Sequence, residues 1–373
     1  DTVVATVTAT LNAPHAVAVH PDGTRFYVAN TGGSGSISQF DASSNAALGT
    51  LPAGSGQSAD IGISPTGAFV YASGVGGPVV EMFTYSSATG LLSGNGNVAT
   101  GSQPFFVALC GNGNAMLATG ATFMAKTATA LNCAGSTATF TGGTLQVNEP
   151  GLTFTSPIVL GAGGGTIDTN GNTATFSGAF SGTGGLTKSG AGTLQAGAAN
   201  VFPSAAGVTV SSGTLALNNF TQTIGSLAGA GTVSLGTATL TAGGNNSSTT
   251  FSGAISGTGA LTKSGTGTLL LTGVNTFTGT TTVDNGTLGG TGTIAGPVTL
   301  GPTGTLDPGI TTGILSIGSL SVGAGALTFQ LNGAVAGAQY DQIKVTGSVH
   351  LGVTTLSVTQ GFTPQAGQVF VII

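Results

Sequence analysis

Short alternations of apolar and polar residues, broken by glycine-containing turns, run the length of this chain. Residues 14–30, PHAVAVHPDGTRFYVAN, alternate in and out, break at Pro-Asp-Gly and resume the alternation. A period of two marks a half-buried strand, and Asp-Gly marks a tight turn. The pattern returns at 58–73, SADIGISPTGAFVYAS, and at 104–119, PFFVALCGNGNAMLAT. Val17, Ile61 and Val107 correspond, as do Val19, Ile63 and Leu109, and Gly23, Gly67 and Gly113, at offsets of 44 and 46 residues. Strand-like stretches at Ser36–Phe40 and Val79–Tyr85 lie between these units. Four strands in about 40–45 residues is the content of one propeller blade.

A finer rhythm begins near residue 140. Residues 175–194, TFSGAFSGTGGLTKSGAGTL, match 250–269, TFSGAISGTGALTKSGTGTL, at 17 of 20 positions, 75 residues apart. Gly-Thr followed by Leu, Val or Ile begins at Gly143, Gly165, Gly192, Gly213, Gly231, Gly267, Gly286 and Gly304. Most steps are 18–22 residues, and one of 36 is twice 18. This spacing predicts one coil of a β-solenoid per step, with each Thr-Leu stretch above its counterpart and strands about 4.8 Å apart. Leu, Val, Ile and Phe would point inward, Thr and Ser outward, and Gly and Asn would take the corners. No coil of this kind buries its apolar face alone; the stack does.

Three resemblances follow from these residues. The first 120 residues resemble the YVTN family of β-propeller repeats, through FYVAN at 26–30 after PDGTR. Closed propellers need about four to eight blades. Here there are two clear units and one partial unit, and DTVVATVTAT reads as the last strand of a further blade. Residues 141–310 resemble the passenger-associated repeats of bacterial autotransporters, through GGLTKSGAGTL at 184–194 and GALTKSGTGTLLLTGVNTFTGTTTVDNGTL at 259–288. That resemblance implies a right-handed parallel β-helix carried to the outside of a Gram-negative cell. Residues 311–373 resemble the segment that follows such helices, through YDQIKVTGSVHLG at 340–352 and FTPQAGQVFVII at 362–373; family members continue into a membrane barrel that this sequence does not include. The expected organisation is an all-β chain: a blade-like antiparallel region at 1–120, a junction at 121–140, a parallel β-helix at 141–310, and a β-helix continuation or cap at 311–373. The final VFVII reads as an apolar strand with no polar tail, which suggests either trimming or pairing with another chain.

Composition narrows the function. Only 15 of 373 residues are charged, 10 acidic and 5 basic, against about a quarter in an ordinary domain. Mean hydropathy of +0.41 and 40% hydrophobic residues argue against disorder, and the 68 glycines lack the strict triplet period of collagen. Five basic residues cannot track a phosphate backbone, so nucleic acid is not an expected partner, nor is a polybasic membrane site. No apolar run reaches the roughly 18 residues of a spanning helix. So little charge does nothing to keep strand edges and surfaces apart, which suits a fibre or surface layer.

Candidate chemistry is sparse. His15, His20 and Asp22 are close in sequence and read either as a metal or acid–base cluster of the propeller-lactonase kind, or as strand residues beside a Pro-Asp-Gly turn; the turn is the expectation, since the second unit has Pro65-Thr66-Gly67 without an acid. Lys188 and Lys263 share one repeat position and are expected at solvated turns, where they would discourage lateral pairing. Glu149, Asp168, Asp284 and Asp307 are too dispersed to suggest paired carboxylates or a calcium site. GGGTIDT at 163–169 resembles a calcium-binding nonapeptide only distantly, without tandem recurrence. The sequons at Asn219, Asn246 and Asn285 are expected at corners. Cys110 and Cys133 are candidates for one disulfide in an oxidising compartment, with two buried thiols as the alternative. No catalytic, cofactor-binding or metal residue is therefore expected.

The leading functional expectation is a non-enzymatic extracellular protein that self-associates into a filament or matrix through terminal strands and solenoid ends. An adhesin that binds a surface glycan or host protein is the alternative. A carbohydrate-active or lactonase-like enzyme ranks last.

Overall fold

Alternation and turn chemistry become strands wherever the chain is described. The structure, a computed structural model, describes residues 11–53, 57–63, 67–75, 79–99, 115–118, 122–125, 137–309 and 311–373. Among them there is no helix. The chain forms two compact units, 1–145 and 146–373.

In the first unit, β1 (Pro14–Val19), β2 (Arg25–Asn30), β3 (Ser36–Asp41) and β4 (Ala47–Pro52) pair in sequence order as an antiparallel sheet. A second antiparallel sheet repeats the order with β5 (Gln57–Ile63), β6 (Phe69–Val75), β7 (Val79–Ser86) and β8 (Leu91–Ala99). Gly23 and Gly67, equivalent in the sequence repeat, both turn with φ of 73°. That is a left-handed conformation a side chain would resist. Tyr27, Ala29 and Ile37 from the first sheet pack against Ile61, Val70, Ala72, Phe83 and Leu92 from the second. Polar links join the sheets, among them His20 to Gly67, Arg25 to the Gly90 carbonyl at 3.2 Å, and the Leu92 amide to Gln39 Oε1 at 2.8 Å. The third sequence unit, 104–119, lies almost entirely outside the described residues, as do DTVVATVTAT, Cys110 and Cys133.

The second unit is a parallel β-solenoid; the described chain makes about nine such turns. Each turn lays short strands on three walls. One wall stacks Leu152–Phe154, Thr173–Phe176, Thr193–Ala196, Thr214–Ala216, Thr232–Ser234 and Ala254–Ser256. A second carries Gln222–Ile224, Leu240–Ala242 and Leu261–Lys263 up to Val349–Leu351. A third carries Gly165–Asp168, Leu186–Ser189, Gly207–Val210 and Ser226–Gly229.

Register is kept residue over residue. Leu194, Leu215, Val233 and Ile255 form one inward column, and Leu269, Leu288, Leu306, Leu327 and Leu356 form another. The Gly-Thr-Leu triplets therefore stack as expected, but as two separate runs. Thr193, Thr214 and Thr232 stand on the first wall, whereas Thr268, Thr287 and Thr305 pair in a different ladder. The 36-residue step hides a coil whose place is taken by Gly253-Ala254-Ile255. The 75-residue repeat is likewise not a whole number of turns: Leu186–Lys188 and Leu261–Lys263 occupy different walls.

Turns come so close that some positions exclude a Cβ. A methyl on Gly259 would overlap the Ala238 carbonyl, and one on Gly279 would overlap the Gly259 carbonyl in the turn below. At the far end, Val349 and Leu351 stack over Leu320 and Val322, and Leu356 and Val358 over Leu327 and Phe329. These four are 44–55% exposed although they continue buried columns. VFVII differs from expectation: residues 369–373 form no strand. Part of that segment turns back on its own chain, with the Ile343 amide donating to the Ile372 carbonyl at 2.9 Å and Phe370 edge-on to Tyr340.

Candidate functional site

The first candidate is the cleft where β1 ends. His20 is buried and Asp22 follows in the turn. His20 Nδ1 lies 2.8 Å from Asp22 Oδ1, and its Nε2 lies 3.1 Å from the Gly67 carbonyl oxygen. The ring is 4.1 Å from that of Tyr85, centroid to centroid. Asp22 Oδ1 also accepts from the Thr24 amide at 2.8 Å and the Thr24 hydroxyl at 2.7 Å. These bonds, with His20 adding less, hold the Asp22 carboxyl down to about 2. A space of about 500 Å³ opens beside them, lined by His20, Pro21, Asp22, Ala68, Tyr85 and Ser87.

The structure thus unites His20 and Asp22 but leaves His15 on the exposed face of β1, away from the cleft lining. Nδ1 of His20 faces both the Asp22 carboxylate and the Asp22 amide, which lies 3.4 Å away, and Nε2 faces the Gly67 carbonyl, all within its own unit. A ring committed in this way ties two sheets together; it offers no free nitrogen to a metal or a substrate proton. Among the described residues no group of three or more His, Cys, Asp or Glu gathers to hold a metal ion. GGGTIDT contributes an ordinary solenoid rung, Gly165–Asp168, in which Asp168 accepts from Gln146 at 3.0 Å and from the Asn170 amide at 2.9 Å.

The lysines overturn the solvated-turn expectation. Lys188 and Lys263 are 0% and 1% exposed. Each stands in an inward column: Lys188 between Ile167 and Val210, Lys263 between Ala242 and Val283. Lys188 Nζ donates to the carbonyls of Ser189, Gly190 and Ser212 at 2.7, 2.8 and 3.1 Å. Lys263 Nζ donates to those of Ser264, Gly265 and Asn285 at 2.7, 2.7 and 3.1 Å. Burial pushes both ammonium groups down to about 8, with Asp168 pulling Lys188 back the other way.

Two buried amides close other corners similarly. Gln222 accepts from the Val201 amide at 2.8 Å and donates to the Ala198 carbonyl at 2.7 Å. Asn275 accepts from the Ile255 amide at 3.0 Å and donates to the Thr293 carbonyl at 3.0 Å. Asn219 and Asn246 sit at corners with φ of 65° and 62°, each taking an amide from the next turn, as expected of those sequons. Asp341 went unnoticed in the sequence: it is fully buried, accepts from the Gly313 and Gln330 amides at 2.7 and 2.6 Å, and its carboxyl is raised by burial. A lone Asp after Tyr340 gives no pattern from which that could be read.

Residues 261–289 match the passenger-associated-transport-repeat family. That segment holds Lys263, the three carbonyls to which it donates and the Gly286 corner. No curated protein matches the chain. Among solved structures, a putative 6-phosphogluconolactonase from Bacteroides fragilis is 20% identical over 27% of this chain and 30% of its own, with a TM-score of 0.24. One from Bacteroides uniformis is 26% identical over 26% and 29%, also at 0.24. Hydrazine synthase from Kuenenia stuttgartiensis is 21% identical over 28% of each chain, at 0.23. The chain spans less than a third of the length of these three proteins, and so slight a superposition fixes neither fold nor activity.

Proposed function

We propose that this chain is a non-enzymatic passenger of the autotransporter kind, displayed on the outer surface of a Gram-negative cell, where its solenoid associates with other copies into a fibre or matrix. The carrying observation is the in-register parallel solenoid that contains a passenger-associated-transport repeat at 261–289. One feature supports association. The 15 charged residues in 373 leave little repulsion between copies.

Shaving intact source cells with protease tests the location. The solenoid epitope should disappear while a cytoplasmic marker survives; an epitope lost only after lysis overturns the reading. Sedimentation and negative-stain microscopy of the purified chain test association, and monodisperse monomers at high concentration would refute it.

A further inference from the structure

The two lysine corners have one geometry in two places. In each, three carbonyl oxygens from two successive turns converge on a point inside the solenoid, and Nζ occupies it. The carbonyls belong to, or directly precede, Gly190, Gly213, Gly265 and Gly286, whose φ values are 74°, 67°, 65° and 68°. A side chain at Gly213 would place its Cβ 2.6 Å from Lys188 Nζ. The corner is therefore shaped around the amine as well as around the backbone.

Three acceptors suit a primary ammonium, which has three N–H donors in a tripod. A planar guanidinium cannot direct its donors that way. The motif is legible as Thr-Lys-Ser-Gly-x-Gly-Thr with a Gly-Thr-Leu one turn later: 187–193 with 213–215, and 262–268 with 286–288. The two copies stand on different walls, so the geometry belongs to the corner and not to a particular face.

We propose that these corners are ammonium-selective carbonyl cages, each filled by a tethered amine, and that an emptied cage binds a free primary alkylammonium ion. Truncation to alanine removes three carbons and the nitrogen, which is the outline of n-propylammonium.

The test uses the full chain and its K263A, K188A and K263M variants. Melting is followed in n-propylammonium, tetramethylammonium and potassium chlorides at equal ionic strength. K263A should melt about 5–10 °C below the parent, on the order expected for a buried polar deletion in a unit of this size. n-Propylammonium should raise its Tm by several degrees over both other salts, by linkage to the folded state. The parent should not distinguish the salts. K263M, which fills the space without donors, should melt low and stay low. If an alanine variant does not fold, refolding yield with and without n-propylammonium reads the same contrast, and equal yields overturn the proposal. So does K263M melting with the parent, or n-propylammonium indistinguishable from tetramethylammonium on both alanine variants. Potassium matching n-propylammonium would make the cage a general cation site and defeat the selectivity claimed.

Discussion

At the scale of the residue, the polar groups that matter most are inside. A period of two puts Leu186 and Lys188 on one face of their strand, and Leu261 and Lys263 on one face of theirs. That signal was present in LTK, but a lysine beside Ser-Gly reads as a solvated turn. What the sequence could not reveal is that carbonyls from the next turn converge there, because that depends on which corner meets which. The titration follows from the burial. Each lysine falls from 10.5 in the open chain to about 8 in the fold. Between those values the unfolded chain holds the proton and the folded chain releases it, so stability rises with pH across that window. Below pH 8 both states are protonated and the cost of dehydrating the ammonium is fully felt. The gain on passing from pH 7.5 to 10.5 is on the order of 3 kcal/mol per lysine. Urea unfolding of the parent should therefore strengthen on that passage, while the K188M/K263M double variant should lack that rise. A parent whose stability falls over the window would contradict the burial. His20 is the opposite case, legible as a turn residue and found as a clasp. H20A should remove the 3.1 Å link to Gly67 and loosen the first unit, lowering its melting by a few degrees while leaving the solenoid melt in place.

At the scale of the element, strands and corners were readable because each strand is short and each corner is marked by Gly or Asn. The number of turns is less legible. Gly-Thr-Leu is a generic strand opening, so the same triplet marks one wall at Thr214 and another at Thr287, and the coil at Ala254 escapes it. Some glycines are corner residues; others are required by close approach alone, which composition cannot distinguish. Gly259 and Gly244 separate the two. A Cβ on Gly259 meets the Ala238 carbonyl of the turn below, whereas one on Gly244 meets nothing within 4 Å. G259A should cost about 3 kcal/mol or more in chemical denaturation, because backbone must move to admit the methyl. G244A should lie within about 0.5 kcal/mol of the parent. Equal effects would mean that the turns are not packed as tightly as the ladder requires.

At the scale of the whole molecule, scarcity of charge bears on the forces that the proposed association would use. Surface ion pairs weaken as salt shortens the Debye length from roughly 14 Å at about 0.05 M to roughly 4 Å at about 0.5 M. With five basic residues in the chain, two of them sealed in the solenoid, ion pairing has little with which to act. Association by strand addition and apolar burial has the opposite salt response: it is indifferent to sodium chloride and strengthened by sulfate, which is excluded from protein surface. Sedimentation of the purified chain should accordingly give the same association constant, within about threefold, over that sodium chloride range, and a larger one in sulfate. An association that dissolves in sodium chloride would mean that ion pairs, and not strand addition or apolar burial, hold the copies.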